Sequence, residues 1–147
     1  MNKKAELFQL FIHDNNLQKA FHVSEHYQDT RNFVLFTSSV EIEARRLKLA
    51  VILEEGLPTL IRVWIGSPEC CESQDTKKLL RLINELNLNY KSFKFFLDEK
   101  KGVLMDWINA TSDELFDPNL IHFMLGIINR EAKTVYAVVF QGHVLSH

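Results

Sequence analysis

The stretch from Leu47 to Ile65 constrains this chain more than any other. Leu47, Leu49, Val51 and Leu53 alternate with Lys48 and Glu54, the period-two pattern of a half-buried strand. Glu55-Gly56-Leu57-Pro58 signals a turn. Ile61, Val63 and Ile65 then face one way, with Leu60, Arg62 and Trp64 opposite. A parallel pair needs a crossover of a dozen or more residues, and no such segment lies between these strands. They are therefore antiparallel neighbours, and the fold is built around a meander.

The flanking segments extend that reading. Lys3 to Asp14 has helical spacing: Leu7, Leu10 and Phe11 share a face, which Phe8 and Ile12 widen, and Asn15-Asn16 stops it. Phe21, Val23 and Tyr27 alternate with His22, Ser24 and His26. Thr30-Arg31-Asn32 reads as a turn, and Phe33 to Ile42 is rich in β-branched and aromatic residues. The number of strands between residues 17 and 65 stays open. Gly66 to Ser73 reads as a loop, followed by a helix from about Gln74 to Leu88. Its apolar stripe is Leu79, Leu82, Ile83 and Leu86, with Leu80 beside it and Ser73 or Asp75 as cap.

A hairpin is expected next. Phe93, Phe95 and Leu97 alternate with Lys94 and Phe96, residues 98–102 turn, and Val103 to Ile108 returns. Asp117-Pro118 opens a last helix, because an N-cap aspartate followed by proline loses no hydrogen bond there. Leu120, Phe123, Met124, Ile127 and Ile128 form its expected buried stripe, and the pattern leaves open whether Val135–Phe140 continues it. The order is α-β-β-β(β)-α-β-β-α, which predicts a single α+β domain over residues 1–147, an antiparallel sheet with helices on one side.

Composition narrows the class. A 147-residue chain of 17.2 kDa with 46% apolar residues can build a core without staples. Folded as a monomer, it should expose about 7,800 Å². The formal charge of −2 argues against a nucleic-acid partner. No apolar run is long enough to span a bilayer, and no hydrophobic segment follows Met1-Asn2-Lys3-Lys4, so a cytoplasmic protein without membrane partners is expected. Cys70 and Cys71 are adjacent, too close for ordinary disulfide geometry, and read as free thiols.

The helix Leu79-Leu80-Arg81-Leu82-Ile83-Asn84-Glu85-Leu86-Asn87 is similar to a "LL..LN.LN" helix, and Phe93-Lys94-Phe95-Phe96-Leu97-Asp98 to Gly102-Val103 to a "KF.LD..G.V" hairpin, of the YbjN family, also labelled bacterial sensory transduction regulators. The resemblance covers about Leu79 to Ile108. It implies the fold of type III secretion chaperones, small α+β domains commonly paired as homodimers. It supplies no catalytic residues and implies binding or regulation rather than catalysis.

Residues with chemical potential support the same expectation. His22 and His26 share a strand face about 13 Å apart, too far for one zinc ion, so a polar sheet face is the better reading. His13 and His122 are isolated in helices, and His143 and His147 lie at the end of the chain. No nucleophile elbow, P-loop or dinucleotide fingerprint occurs. No metal or cofactor is expected. A metal- or thiol-dependent enzyme using these histidines and Cys70 is the alternative.

Eleven Phe, two Trp and three Tyr raise the question of which aromatics meet a partner. Phe36, Phe96 and Trp64 fall on the strand faces opposite their more regularly apolar neighbours. The Lys94 face should meet solvent and the Phe93/Phe95 face the core. Trp64, Phe96 and Trp107 are the expected protein-binding residues of a non-enzymatic, homodimeric interaction module.

Overall fold

The computed structural model describes residues 1–28, 31–66, 76–142 and Leu145. Its elements run Lys3–Asp14 (α1), His22–Gln28 (β1), Arg31–Ile42 (β2), Arg45–Glu54 (β3), Thr59–Gly66 (β4), Thr76–Asn89 (α2), Lys94–Leu97 (β5), Val103–Asn109 (β6) and Pro118–Gln141 (α3). Short 3-10 turns occupy Gln18–Ala20 and Asp113–Leu115. The protein is α+β, with one six-stranded antiparallel sheet in the order β1-β2-β3-β4-β6-β5. The first four strands form the meander. The chain then crosses through α2 to the far edge, and β6 returns between β4 and β5.

Register assigns every strand residue to a face, because neighbours directly opposite point the same way. On one face lie Val34, Phe36 and Val40 of β2, Leu47 to Leu53 at odd positions of β3, Ile61, Val63 and Ile65 of β4, and Val103 and Met105 of β6. All are buried, and the buried apolar residues of α1, α2 and α3 join them in one core. The helical layer thus sits on a single side of the sheet.

Local chemistry explains the helix ends. Asn2 caps α1, its side chain accepting from the Ala5 amide at 2.9 Å, while its amide group donates to Leu53 O at 2.9 Å and ties the cap to the sheet. Asp117 caps α3 by accepting from the Asn119 amide at 2.9 Å, with Pro118 in the first turn. α3 runs unbroken through Val135–Phe140 and ends at Gly142, whose φ of +67° is the left-handed geometry that closes a helix. In the β5–β6 turn the Asp98 carboxylate accepts from the Lys100 and Gly102 amides, both at 2.8 Å.

Several expected faces are rotated. In α1 the buried residues are Lys4, Ala5, Phe8 and Ile12, whereas Leu10 is 58% exposed and Leu7 sits at the margin. In α3 the buried stripe is Ile121, Met124, Ile128, Ala132, Val135, Tyr136 and Val138, and Phe123 points outward. Phe36 is not on the opposite strand face: it is fully buried on the helical side, its ring edge-on to Phe8 at 4.9 Å. The reason is register. β2 is one twelve-residue strand in which Val34, Phe36 and Val40 point inward, and the polar run Thr37-Ser38-Ser39 does not break it. Arg31 and Asn32 already belong to β2, while Thr30, the loop residues 67–73 and the expected caps Ser73 and Asp75 lie outside the described residues.

Candidate interaction face

The second face of the sheet carries the other half of each strand. Across it run Leu35, Ile52, Leu60 and Ile108, directly opposite one another on β2, β3, β4 and β6. The first three are half-buried and Ile108 is 50% exposed. Four aliphatic side chains in one row across four strands are unusual for a solvated sheet face, where polar residues normally alternate with the core. Phe33 extends the patch toward β1, where His26 stacks on it with ring centroids 4.9 Å apart and planes 6° from parallel.

The next row holds Thr37, Ala50, Arg62, Asp106 and Lys94. Arg62 and Asp106 form a two-pronged pair, Nε to Oδ1 at 2.8 Å and Nη2 to Oδ2 at 2.9 Å. Asp106 is 3% exposed. Its hydrogen bonds hold the Arg62 guanidinium above its already high ordinary value, against the effect of burial. This pair joins β4 to β6 at the centre of the face and leaves no free carboxylate there.

One row further lie Trp64 and Phe96, separated by Leu104, which is buried between them. Cations bracket both rings. Lys48 Nζ stands 4.5 Å from the Trp64 centroid, Lys94 Nζ 4.9 Å from that of Phe96, and the Arg62 guanidinium carbon 5.9 and 5.3 Å from the two. The structure therefore brings Trp64 and Phe96 onto one surface together with Lys94. It separates Trp107 from them. Trp107 stands opposite Ile61 on the helical side, half-buried against the core, because the odd positions of β6 point inward.

Among the described residues, no three His, Cys, Asp or Glu side chains gather as a metal site. His22 and His26 both lie on β1, and His26 Nε2 is engaged with Ser24 Oγ at 3.1 Å. Cys70, Cys71, His143 and His147 lie outside the described residues. No described helix is long and apolar enough to cross a membrane.

Sequence reading found Leu60, Arg62, Trp64 and Phe96 by alternation alone. It missed the row that links them. The signal was the unbroken run Ala50-Val51-Ile52-Leu53, since a strand apolar at every position has something to hide on both faces.

Fold and surface together define a class: an α+β protein whose antiparallel sheet is covered by helices on one face and presents an apolar, cation-bordered surface on the other. No family model matches the chain, and no curated protein matches it either.

Proposed function

We propose that this chain is a non-enzymatic interaction module of the YbjN, type III secretion chaperone-like class, and that it works as a homodimer joined through the open face of its sheet. The observation that carries this reading is the row Leu35-Ile52-Leu60-Ile108, flanked by Phe33, Trp64 and Phe96, on the sheet face opposite the one whose residues share the core with α1, α2 and α3. A second copy is the simplest cover for it, because two sheets of the same twist pack face to face. Five inter-strand spacings by six residues give a face of about 24 by 20 Å, so two copies remove on the order of 1,000 Å² from water, the scale at which interfaces become specific. The resemblance of Leu79–Ile108 to the family supports the same class.

The test is light scattering over a range of concentrations, on the native chain and on Leu35→Ser, Trp64→Ser and Phe96→Ser. The native chain should be a dimer at micromolar concentration, and Leu35→Ser should raise its dissociation constant about tenfold or more, the cost of exposing one aliphatic side chain no longer matched by burial. Trp64→Ser and Phe96→Ser should weaken it less, because their rings already contact cations. A monomeric native chain at 100 µM would sink the reading, as would a dimer indifferent to all three changes.

A further inference from the structure

β1 is too short for the strand it covers. β3 pairs with β2 from Phe33 to Ile42, but β1 pairs with it only from Arg31 to Thr37. Among the described residues nothing pairs with the outer edge of β2 over Ser38–Ile42, five residues or about 17 Å of backbone. The cause lies just upstream. The chain enters β1 from the 3-10 turn Gln18–Ala20, and Phe21 is the first residue in extended geometry. The strand therefore starts late, and among the described residues no strand continues β1 alongside Ser38–Ile42.

That step opens onto a cavity of about 630 Å³ on the helical side. Leu49 lies in its wall beside Ser38 and Ser39, Phe21 comes from the β1 side, and α3 contributes Phe123 and Gly126. Phe123 is 64% exposed, an outward aromatic that the core does not explain. Gly126 is equally unexplained by packing. It is helical, where glycine costs stability, and a Cβ there would meet nothing within 4 Å. Its absence of side chain keeps the groove wide. The rest of the wall includes Asn119, His122 and Asn129, and none of the lining residues is Lys, Arg, Asp or Glu.

The opposite edge of the sheet is treated differently. At β5 the Asn87 side chain of α2 donates to Phe95 O at 3.0 Å and accepts from the Phe95 amide at 2.9 Å, so a side chain occupies the place of a neighbouring strand. Unpaired edges are templates for strand addition, and this chain occupies one at Phe95 while leaving the other beside a largely apolar groove without Lys, Arg, Asp or Glu.

We infer that the Ser38–Ile42 edge is a binding site for an extended, uncharged polypeptide segment with apolar side chains at alternate positions. Its backbone would pair with β2 in line with β1, and its alternate side chains would enter the groove against Phe21, Leu49 and Phe123. The unpaired backbone selects an extended chain over a compact small molecule, and the uncharged walls select against acidic or basic segments. This site is separate from the open face, so its failure and that of the dimer reading are distinguishable.

The experiment titrates blocked eight-residue peptides, in which valine, leucine or phenylalanine alternates with serine, into the isotope-labelled full chain. Amide shifts are followed, with hydrogen exchange at saturation. At least one peptide should bind saturably, shift the amides of residues 38–42, 123 and 126, and slow exchange along Ser38–Ile42. The same peptide N-methylated at alternate residues should bind at least tenfold more weakly, as should a version with lysine or glutamate at the apolar positions. Gly126→Leu should keep or raise the thermal midpoint while reducing affinity at least tenfold, which separates a filled groove from a damaged fold. Three results overturn the site: no saturable binding up to millimolar peptide, equal binding of the N-methylated peptide, or edge amides already protected in a concentration-dependent way by a second copy.

Discussion

Lys4 is the residue that departs furthest from its ordinary behaviour. It sits in the first turn of α1 at 1% exposure, its ammonium donating to Leu57 O and standing 3.2 Å from an Asp113 carboxylate oxygen. Asp113 also accepts from the Gly56 amide at 3.1 Å. One lysine thus ties α1 to the β3–β4 turn and to the 3-10 turn before α3. Burial pushes the Asp113 carboxyl up, but the Gly56 amide and Lys4 outweigh it and hold it below its ordinary value. Glu54 is lowered first by its hydrogen bonds from Arg31, at 2.6 and 2.9 Å, with Lys4 adding to the effect against burial. For a carboxylate lowered in the folded state, stability is fully present above the unfolded value near 4 and is lost as pH falls through the folded one. Lys4→Met should therefore lower stability at pH 7 by about 2 kcal/mol, with the ion pair and the bond to Leu57 O gone, and flatten the loss between about pH 5 and pH 2. Denaturant titrations at a series of pH values read both. An acid limb as steep in Lys4→Met as in the native chain would show that Lys4 does not act through these carboxylates. None of this was legible in the sequence. A lysine in a first turn reads as solvated; of the face expected on Leu7, Leu10, Phe11, Phe8 and Ile12, only Phe8 and Ile12 are fully buried, and Lys4 and Ala5 join them.

At the scale of elements, the sequence was most readable where a strong local signal and the tertiary environment agree. The bounds of α1, the meander, the Asp98–Gly102 turn and the start of α3 at Asp117-Pro118 all follow from periodicity and capping. Val135–Phe140 shows the limit. Its β-branched residues favour strand, yet Val135, Tyr136 and Val138 are buried as helix, because continuing α3 covers the sheet and the gain in burial exceeds a few tenths of a kcal/mol per residue of propensity. Asn87 shows another. It was visible within the family-like helix motif, but its two hydrogen bonds to Phe95 depend on where β5 lies, which no local pattern records. Asn87→Ala leaves the Phe95 amide and carbonyl without that partner, so it should cost about 1–3 kcal/mol and accelerate exchange of the Phe95 amide. Unchanged exchange at Phe95 in a variant of unchanged stability would show that water replaces the asparagine without loss.

At the scale of the whole molecule, the open face was half legible. Alternation put Trp64 and Phe96 on one side of their strands, but that they share a surface follows from β6 lying between β4 and β5, a crossover the sequence does not encode locally. The same crossover sends Trp107 to the helical side. If the open face joins two copies, folding and assembly are linked, and thermal stability must depend on concentration. For a dimer that unfolds to two separate chains, a hundredfold rise in protein concentration adds RT ln 100, about 3 kcal/mol per dimer near the midpoint. Two chains of 147 residues carry an unfolding entropy of about 0.6 kcal/mol per kelvin, so the midpoint should rise by about 5 °C. Leu35→Ser should lower the midpoint at high concentration and reduce this dependence toward zero, since a monomer's midpoint does not move with dilution. Calorimetry of the native chain at 2 and 200 µM makes the comparison. A native midpoint fixed within 1 °C would mean the face is not held by a second copy, and the row Leu35-Ile52-Leu60-Ile108 would then have to be matched by a different protein.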